Sequence, residues 1–181
     1  LGAGSGIMAA DILLELEKQQ QLPEKYLILD LSPDLKQRQK QTLQQHLPHL
    51  LGRVEWLSRL PENFSGIILG NEVLDAMPVD VFTQQNGKVY EHHVIWEDGK
   101  LLEELRPAND SLYQQVLNLK IPADATPYTS EINSNIPDWL KNLDSSLNTA
   151  IVLLFDYGYP RSEYYLTERN KGTLICHYQH L

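Results

Sequence analysis

The chain has 181 residues, of which 42% are apolar, and it carries a net charge of −9. This length suffices for one well-buried domain but is short for two, and the acidic balance weighs against a protein that binds the phosphate backbone of nucleic acids. A single cysteine, Cys176, excludes an internal disulfide and favours a cytoplasmic location, and no stretch approaches the ~18 consecutive apolar residues of a membrane span.

Three alternating glycines, Gly2, Gly4 and Gly6, open the chain and lead into the apolar spacing of a helix over residues 7–20. Glycine permits positive φ and a close approach of the backbone to a ligand. A helix that begins there directs its free N–H groups at that ligand, so this glycine loop (residues 1–6) predicts a site for a nucleotide-type cofactor. Such a loop follows a strand. We therefore expect the native protein to continue before Leu1.

Helices and strands alternate after the glycine loop. An apolar run at residues 26–30 predicts a buried strand that ends in Asp30. Ser32 as cap and Pro33 as first residue predict a helix that runs to about residue 47. Residues 54–57 and 64–69 are further strand candidates. This alternation with short links predicts a parallel sheet with helices on both faces.

The second half departs from that rhythm. Extended patterns at residues 87–96 and 100–105 flank an Asp-Gly turn, which indicates a hairpin. Helices are predicted over residues 109–119 and 133–147, the latter with Trp139 and Leu143 facing inward, and a loop over residues 122–127. The most apolar run, residues 150–155, predicts a central strand, and residues 172–178 predict a final one.

Asp30 stands 24 positions after Gly6 and ends the first predicted strand. The dinucleotide-binding fingerprint places a ribose-binding acid about 20 residues after its glycines. A carboxylate there accepts hydrogen bonds from the two vicinal hydroxyls of a ribose. Asp30 could instead be a plain loop residue or the cap of the following helix.

Polar side chains also follow the strand at residues 64–69, where ligands bind in open α/β sheets. Asn71, Glu72 and Asp75 would converge there, and their carboxylates could orient a nitrogen nucleophile. Asn71 and Asp75 could instead cap a helix, as Ser130 and Asn133 could further on. Glu131 is harder to explain as a cap. Asp156, at the end of the apolar strand, is either a ligand-edge residue or part of a turn.

Other reaction classes lack their motifs. The histidines are not spaced as metal ligands, so no metal site is predicted. No serine stands in a G-x-S-x-G elbow. The glycine loop lacks the lysine and the Ser/Thr of a P-loop, which disfavours ATP hydrolysis.

Several segments together resemble the MidA family of S-adenosylmethionine-dependent methyltransferases. The most specific is Asn-Glu-x-x-Asp-Ala-x-Pro at residues 71–78. The other matching pieces are the glycine loop with residues 8–13, residues 26–32 with Gln39, residues 155–159 and residues 172–174. Their order and spacing agree over nearly the whole chain.

The resemblance implies a Rossmann-like class I methyltransferase, an α/β fold with a mostly parallel sheet, truncated here at both ends. It implies a single domain over residues 1–181, with a substrate-side hairpin and helical segment inserted at about residues 86–148. It also implies S-adenosylmethionine as methyl donor. By the best-known relative, the acceptor is a protein arginine, as on a respiratory complex I subunit or its counterpart.

The resemblance also assigns residues to roles. The cofactor-binding candidates are Gly2, Gly4 and Gly6 along the methionine and ribose part of the donor, Asp30 at the ribose hydroxyls with Leu31 beside it, and Asn71 and Glu72 near the methyl group. The chemistry of the acceptor adds a hypothesis of its own: a carboxylate that binds the guanidinium localises its charge and fixes its orientation, and Glu72, with Glu131 or Asp75, would do this. The catalytic candidates are therefore Asn71, Glu72, Asp75 and Glu131.

Two other functions fit part of the pattern. An NAD-dependent oxidoreductase also uses a glycine loop and a strand-end acid. A non-catalytic assembly factor could retain the methyltransferase fold. The oligomeric state stays open, with a homodimer as one alternative, and a mitochondrial matrix location is the alternative to a cytoplasmic one.

Overall fold

The computed structural model describes residues 1–122 and 127–175. Its helices are α1 (Ile7–Lys18), α2 (Pro33–His46), α3 (Asp110–Leu119), α4 (Ile136–Ser145) and α5 (Arg161–Tyr164), with a 3₁₀ helix at Pro48–Arg53. Its strands are β1 (Tyr26–Leu29), β2 (Val54–Leu57), β3 (Phe64–Asn71), β4 (Asp80–Gln85), β5 (Lys88–Glu97), β6 (Lys100–Pro107), β7 (Tyr128–Ile132) and β8 (Leu147–Phe155). The chain forms two compact units, unit 1 (Leu1–Ala76 and Asp138–Tyr157) and unit 2 (Met77–Pro137 and Gly158–Leu181).

Unit 1 contains two parallel strand pairs. β1 pairs with β2, and β3 pairs with β8. The first two residues of the chain lie between the pairs: Leu1 N donates to Leu69 O of β3 at 2.7 Å, and Gly2 N donates to Leu29 O of β1 at 2.9 Å. The strands predicted from the first half and at residues 150–155 are confirmed, and so is their parallel pairing. The central position predicted for residues 150–155 is wrong within the described residues, because β8 pairs with β3 alone.

Helices α1 and α2 each carry an apolar stripe, and the N-terminus of α2 is also encoded locally. Ser32 Oγ accepts from Leu35 N at 3.2 Å, and Pro33 occupies the first turn of α2, as the sequence predicts. α1 and α2 close over β1 through a buried cluster of apolar residues: Ala9, Ala10, Leu13, Ile28, Leu43, Leu47 and Leu50. In the described part of the chain no helix is long and apolar enough to span a membrane.

Unit 2 contains one four-stranded sheet in the order β6-β5-β4-β7, and all three of its strand pairings are antiparallel. Two turns with positive φ join its first three strands. Asn86-Gly87 (φ 52 and 73) joins β4 to β5, and Asp98-Gly99 (φ 50 and 76) joins β5 to β6. Two-residue turns of this kind join antiparallel neighbours. The predicted hairpin is confirmed, but the expectation of a mostly parallel sheet is wrong for this unit.

Of the other predictions for the second half, some are confirmed and some are wrong. The helix at residues 109–119 is confirmed as α3, with Asn109 as its cap. α4 is shorter than predicted, and Leu143 is buried while Trp139 is half-buried. The predicted final strand is absent over residues 172–175, because Glu131 holds this segment instead. Residues 176–178 of that strand, with Cys176, lie outside the described residues, as does most of the predicted loop at 122–127.

The two faces of β7 pack differently. Tyr128 and Ile132 join the core beneath α3. Glu131 points to the other face and is 4% exposed. Its Oε1 accepts from the backbone N of Thr173 at 2.7 Å and of Leu174 at 2.9 Å.

Two tyrosines at the end of α5, Tyr164 and Tyr165, also donate hydrogen bonds to Glu131. Tyr164 OH donates to Oε2 at 3.2 Å, and Tyr165 OH donates to the backbone O of Glu131 at 3.0 Å. Burial raises the pKa of Tyr165 to about 12, so its hydroxyl stays a donor at neutral pH. These bonds tie residues 164–174 to β7.

We expect Glu131→Gln to destabilise the protein by about 1–3 kcal/mol, because an NH2 group replaces an oxygen that accepts hydrogen bonds and the charge is lost. Urea unfolding measures this. Tyr164→Phe removes a single hydroxyl and should cost less, about 0.5–1.5 kcal/mol. A Glu131→Gln variant at least as stable as Tyr164→Phe would contradict the role of Glu131 as an anchor.

Candidate functional site

The glycine loop of unit 1 lies at the carboxyl ends of β1 and β3, through the bonds of Leu1 and Gly2 to Leu69 and Leu29. Ligands of open parallel sheets bind at this edge. Gly2, Gly4 and Gly6 all have positive φ, at 59, 53 and 87. The turn therefore needs the residue type that adopts this conformation without steric cost.

The loop ends where α1 begins. Gly6 is the residue that precedes the helix, its N donates to Ala3 O at 2.9 Å, and its O accepts from Ala10 N at 3.0 Å. None of the described side chains caps this first turn. The first N–H groups of α1 and the positive end of its dipole thus face the loop, which suits a ligand with carboxylate or phosphate oxygens.

Asp30 follows β1 at the same edge and is 8% exposed. Its Oδ1 accepts from Ser32 N at 3.0 Å. The sequence left open whether Asp30 caps the next helix, and here Ser32 provides that cap instead. Leu31, beside it, is 94% exposed. An acceptor and an apolar side chain therefore stand together after β1.

Asn71 and Glu72 follow β3. Asn71 is in register with Phe155 of β8, and Glu72 N donates to Phe155 O at 2.8 Å. Glu72 has φ 50, a conformation uncommon for a residue with a side chain and found preferentially at functional sites. Val73 packs beneath the glycine loop, since its Cγ2 lies 3.3 Å from the position of a Cβ on Gly2.

Asp156, at the end of β8, organises the segment after Glu72. Its Oδ2 accepts from Leu74 N at 2.9 Å and from Asp75 N at 3.2 Å. Tyr157 OH donates to Asp75 Oδ2 at 2.7 Å, and this bond raises the pKa of Tyr157. The carboxylate of Asp156 therefore holds the backbone of this segment, and that of Asp75 is already paired.

Unit 1 brings together at one edge most of the site residues predicted from the sequence: Gly2, Gly4, Gly6, Asp30, Leu31, Asn71, Glu72 and Asp75. Glu131 belongs to unit 2, where its carboxylate accepts the bonds from Thr173, Leu174 and Tyr164. The catalytic and binding roles of all these residues stay predictions. Over residues 1–122 and 127–175, no group of three or more His, Cys, Asp or Glu side chains could hold a metal ion.

Gln39 lies against the loop, although no role is predicted for it from the sequence. Its Nε2 donates to Gly4 O at 3.0 Å and to Asp30 Oδ2 at 2.8 Å. A signal was present, because Leu35, Gln39, Leu43 and Leu47 recur every four residues along α2 and the residue that ends it. A glutamine within such an apolar stripe indicates a buried amide with specific partners.

The glycine loop allows a matched comparison of Gly6→Ala and Gly4→Ala. Both positions have positive φ, but a Cβ on Gly6 would lie 3.0 Å from Gln39 Cα, whereas a Cβ on Gly4 would meet nothing within 4 Å. We expect Gly4→Ala to cost about 1 kcal/mol of unfolding free energy and Gly6→Ala about 1–3 kcal/mol more, from overpacking. Urea unfolding measures both, and equal costs would contradict the packing of the loop against α2.

The chain is similar to known proteins. A family described as putative S-adenosyl-L-methionine-dependent methyltransferase matches residues 1–181. A search of curated proteins found no match.

Solved structures are also similar. A COG1565 superfamily member from Burkholderia thailandensis bound to S-adenosyl-homocysteine is 36% identical, with a TM-score of 0.89 over 99% of this chain and 46% of that chain. A native crystal structure of a COG1565 superfamily protein from the same organism is 35% identical, with a TM-score of 0.90 over 99% of this chain and 48% of that one. This chain thus spans just under half the length of these proteins. With its whole length matched, the chain belongs to the family of putative S-adenosyl-L-methionine-dependent methyltransferases.

Proposed function

We propose that unit 1 binds S-adenosylmethionine at the edge formed by the glycine loop, Asp30 and Asn71–Glu72, and that the protein transfers the methyl group to a protein arginine. The observation that carries the proposal is the glycine loop itself, which runs from the ends of β1 and β3 directly into α1. Family membership and the S-adenosyl-homocysteine bound to a similar structure support this cofactor.

The residues present fit the parts of that cofactor. The space beside Gly4 is open, since a Cβ there would contact nothing within 4 Å. The N–H groups at the start of α1 suit the carboxylate of the methionine part. The carboxylate of Asp30 suits two ribose hydroxyls, and the exposed Leu31 suits the face of the adenine.

The parallel pairs and the glycine loop between them support a Rossmann-like class I arrangement for unit 1. Residues 77–137 of unit 2 come between β3 and β8 in the chain, as an inserted substrate-side segment would. The segment at residues 71–78 supports the resemblance to the MidA family, and through it a protein arginine as acceptor.

S-adenosylmethionine held by the glycine loop, Asp30 and Asn71–Glu72 would supply a methyl group on a sulfonium, with the neutral thioether as the leaving group that keeps the electron pair of the C–S bond. Glu72 binds the guanidinium, localises its charge and orients one nitrogen toward the methyl carbon. The same carboxylate takes up the proton that this nitrogen loses. Asn71, next to Glu72 at the same strand end, would lie near the methyl group. Asp156 keeps the backbone of the segment in place.

Cofactor binding is tested by thermal unfolding with S-adenosyl-homocysteine. At 100 times Kd the ligand should stabilise the protein by about 2.7 kcal/mol. Asp30→Ala should lose most of this stabilisation, because the ribose hydroxyls lose their acceptor, while Asp34→Ala, an exposed acid of α2, should keep it. Stabilisation by NADH instead would indicate the oxidoreductase. Binding of neither ligand would favour a non-catalytic assembly factor.

Glu72→Gln tests the proposed chemistry. We expect turnover with an arginine-bearing protein acceptor to fall about 100-fold, because the amide neither pairs with the guanidinium nor accepts its proton. The affinity for S-adenosyl-homocysteine should stay within about twofold. Glu62→Gln, at an exposed position before β3, is the matched control. Unchanged turnover in Glu72→Gln with intact ligand affinity would contradict the role of Glu72.

A further inference from the structure

Gln39 is a fully buried polar residue, 0% exposed, within the apolar stripe of α2. Its neighbours in the stripe, Leu43 and Leu47, are also 0% exposed and belong to the core of unit 1. A buried amide destabilises the folded state unless its groups find hydrogen-bond partners. An apolar residue would fill this position without that cost, so the amide calls for an explanation.

Every hydrogen-bonding group of this amide has a partner. Nε2 donates to Gly4 O at 3.0 Å and to Asp30 Oδ2 at 2.8 Å, and Oε1 accepts from Trp56 Nε1 at 3.1 Å. The orientation of the amide follows from these partners, because an indole N–H only donates whereas a carbonyl and a carboxylate only accept. The three partners come from the glycine loop, the end of β1 and β2.

Gln39 therefore sets the geometry between the two elements that we assign to the cofactor. Ser32 N donates to Oδ1 of Asp30 and Gln39 Nε2 donates to Oδ2, so a hydrogen bond to each oxygen fixes the orientation of the carboxylate. Each oxygen keeps lone pairs for further donors. The backbone of Gln39 also limits the loop, since its Cα would lie 3.0 Å from a Cβ on Gly6.

We propose that Gln39 is a positioning residue for the nucleoside part of S-adenosylmethionine. It holds the carboxylate of Asp30 at a set distance and angle from the glycine loop, so that both ribose hydroxyls are accepted at once. This inference rests on the proposed cofactor. Gln39 itself touches only the protein, and Trp56 completes its bonding from the far side.

The test compares S-adenosyl-homocysteine with its 2′,3′-dideoxy analogue by calorimetry on the full-length protein. The ratio of the two affinities measures what the ribose hydroxyls contribute. In Gln39→Met, which conserves volume but removes all three bonds, we expect the affinity for S-adenosyl-homocysteine to fall about tenfold and the ratio to shrink by a similar factor. The affinity for the dideoxy analogue should change little.

Two variants separate positioning from a general loss of structure. Gln41→Met makes the same chemical change at an exposed position of α2 and should leave both affinities unchanged. Leu43→Ala weakens the same core and should lower stability while it preserves the affinity ratio. A Gln39→Met variant that behaves like Leu43→Ala would overturn the proposal.

Trp56 supplies a second readout that does not depend on the folding of Gln39→Met. Its indole is linked through Gln39 to the carboxylate of Asp30. Addition of S-adenosyl-homocysteine to the unaltered protein should change tryptophan emission, and Trp56→Phe should abolish that change. An emission change equally large in Trp56→Phe would overturn the proposed coupling.

Failure of this inference differs from failure of the proposed function. If the unaltered protein binds S-adenosyl-homocysteine and the affinity ratio survives in Gln39→Met, only the role of Gln39 is wrong. If the unaltered protein binds neither S-adenosyl-homocysteine nor its analogue, both are wrong.

Discussion

Two backbone hydrogen bonds, from Leu1 to Leu69 and from Gly2 to Leu29, hold the glycine loop at the carboxyl ends of β1 and β3. The candidate site depends on this attachment. Because the loop starts there, α1 directs its N-terminus over the same edge of unit 1. Asp30 and Glu72 follow the two strands that the loop bridges, so a single ligand could contact the loop and both carboxylates.

The site is built mainly from backbone geometry and buried polar contacts. Positive φ at the glycines makes the tight turn, and the left-handed conformation of Glu72 directs the chain away from β3. The amide of Gln39 holds the glycine loop through Gly4, and the carboxylate of Asp156 holds the segment after Glu72 through Leu74. Such supporting groups matter because a binding group must keep its position to within a fraction of an ångström.

Glu131, an acidic residue in a polar segment, has a structural role. Four donors surround its carboxylate: the backbone of Thr173 and Leu174, and the hydroxyls of Tyr164 and Thr173. A buried carboxylate bonded in this way stabilises the segment that supplies the donors. From the sequence alone, the same residue was a candidate for catalysis, since its type and polar neighbours suit either role.

Local signals in the sequence determined much of unit 1 and the helices. Ser32-Pro33 and Asn109 start helices, the apolar run before Asp30 forms a strand, and Asp98-Gly99 makes a hairpin turn. These outcomes depend on interactions within a few residues, which a sequence displays directly. Asn86-Gly87 is the same kind of turn signal, but no strand was predicted before it, so β4 was missed. β7 was missed because Thr129 and Glu131 gave its segment a polar character.

Only the tertiary structure decided which distant groups meet. The antiparallel pairing of β4 with β7, the contact of Gln39 with Gly4 and the bonds between Glu131 and residues 173–174 all join parts of the chain far apart in sequence. Such contacts follow from how elements pack in space, and no local periodicity encodes them. The sequence by itself therefore identified candidates for a cofactor site, and the packing decided how those residues are held.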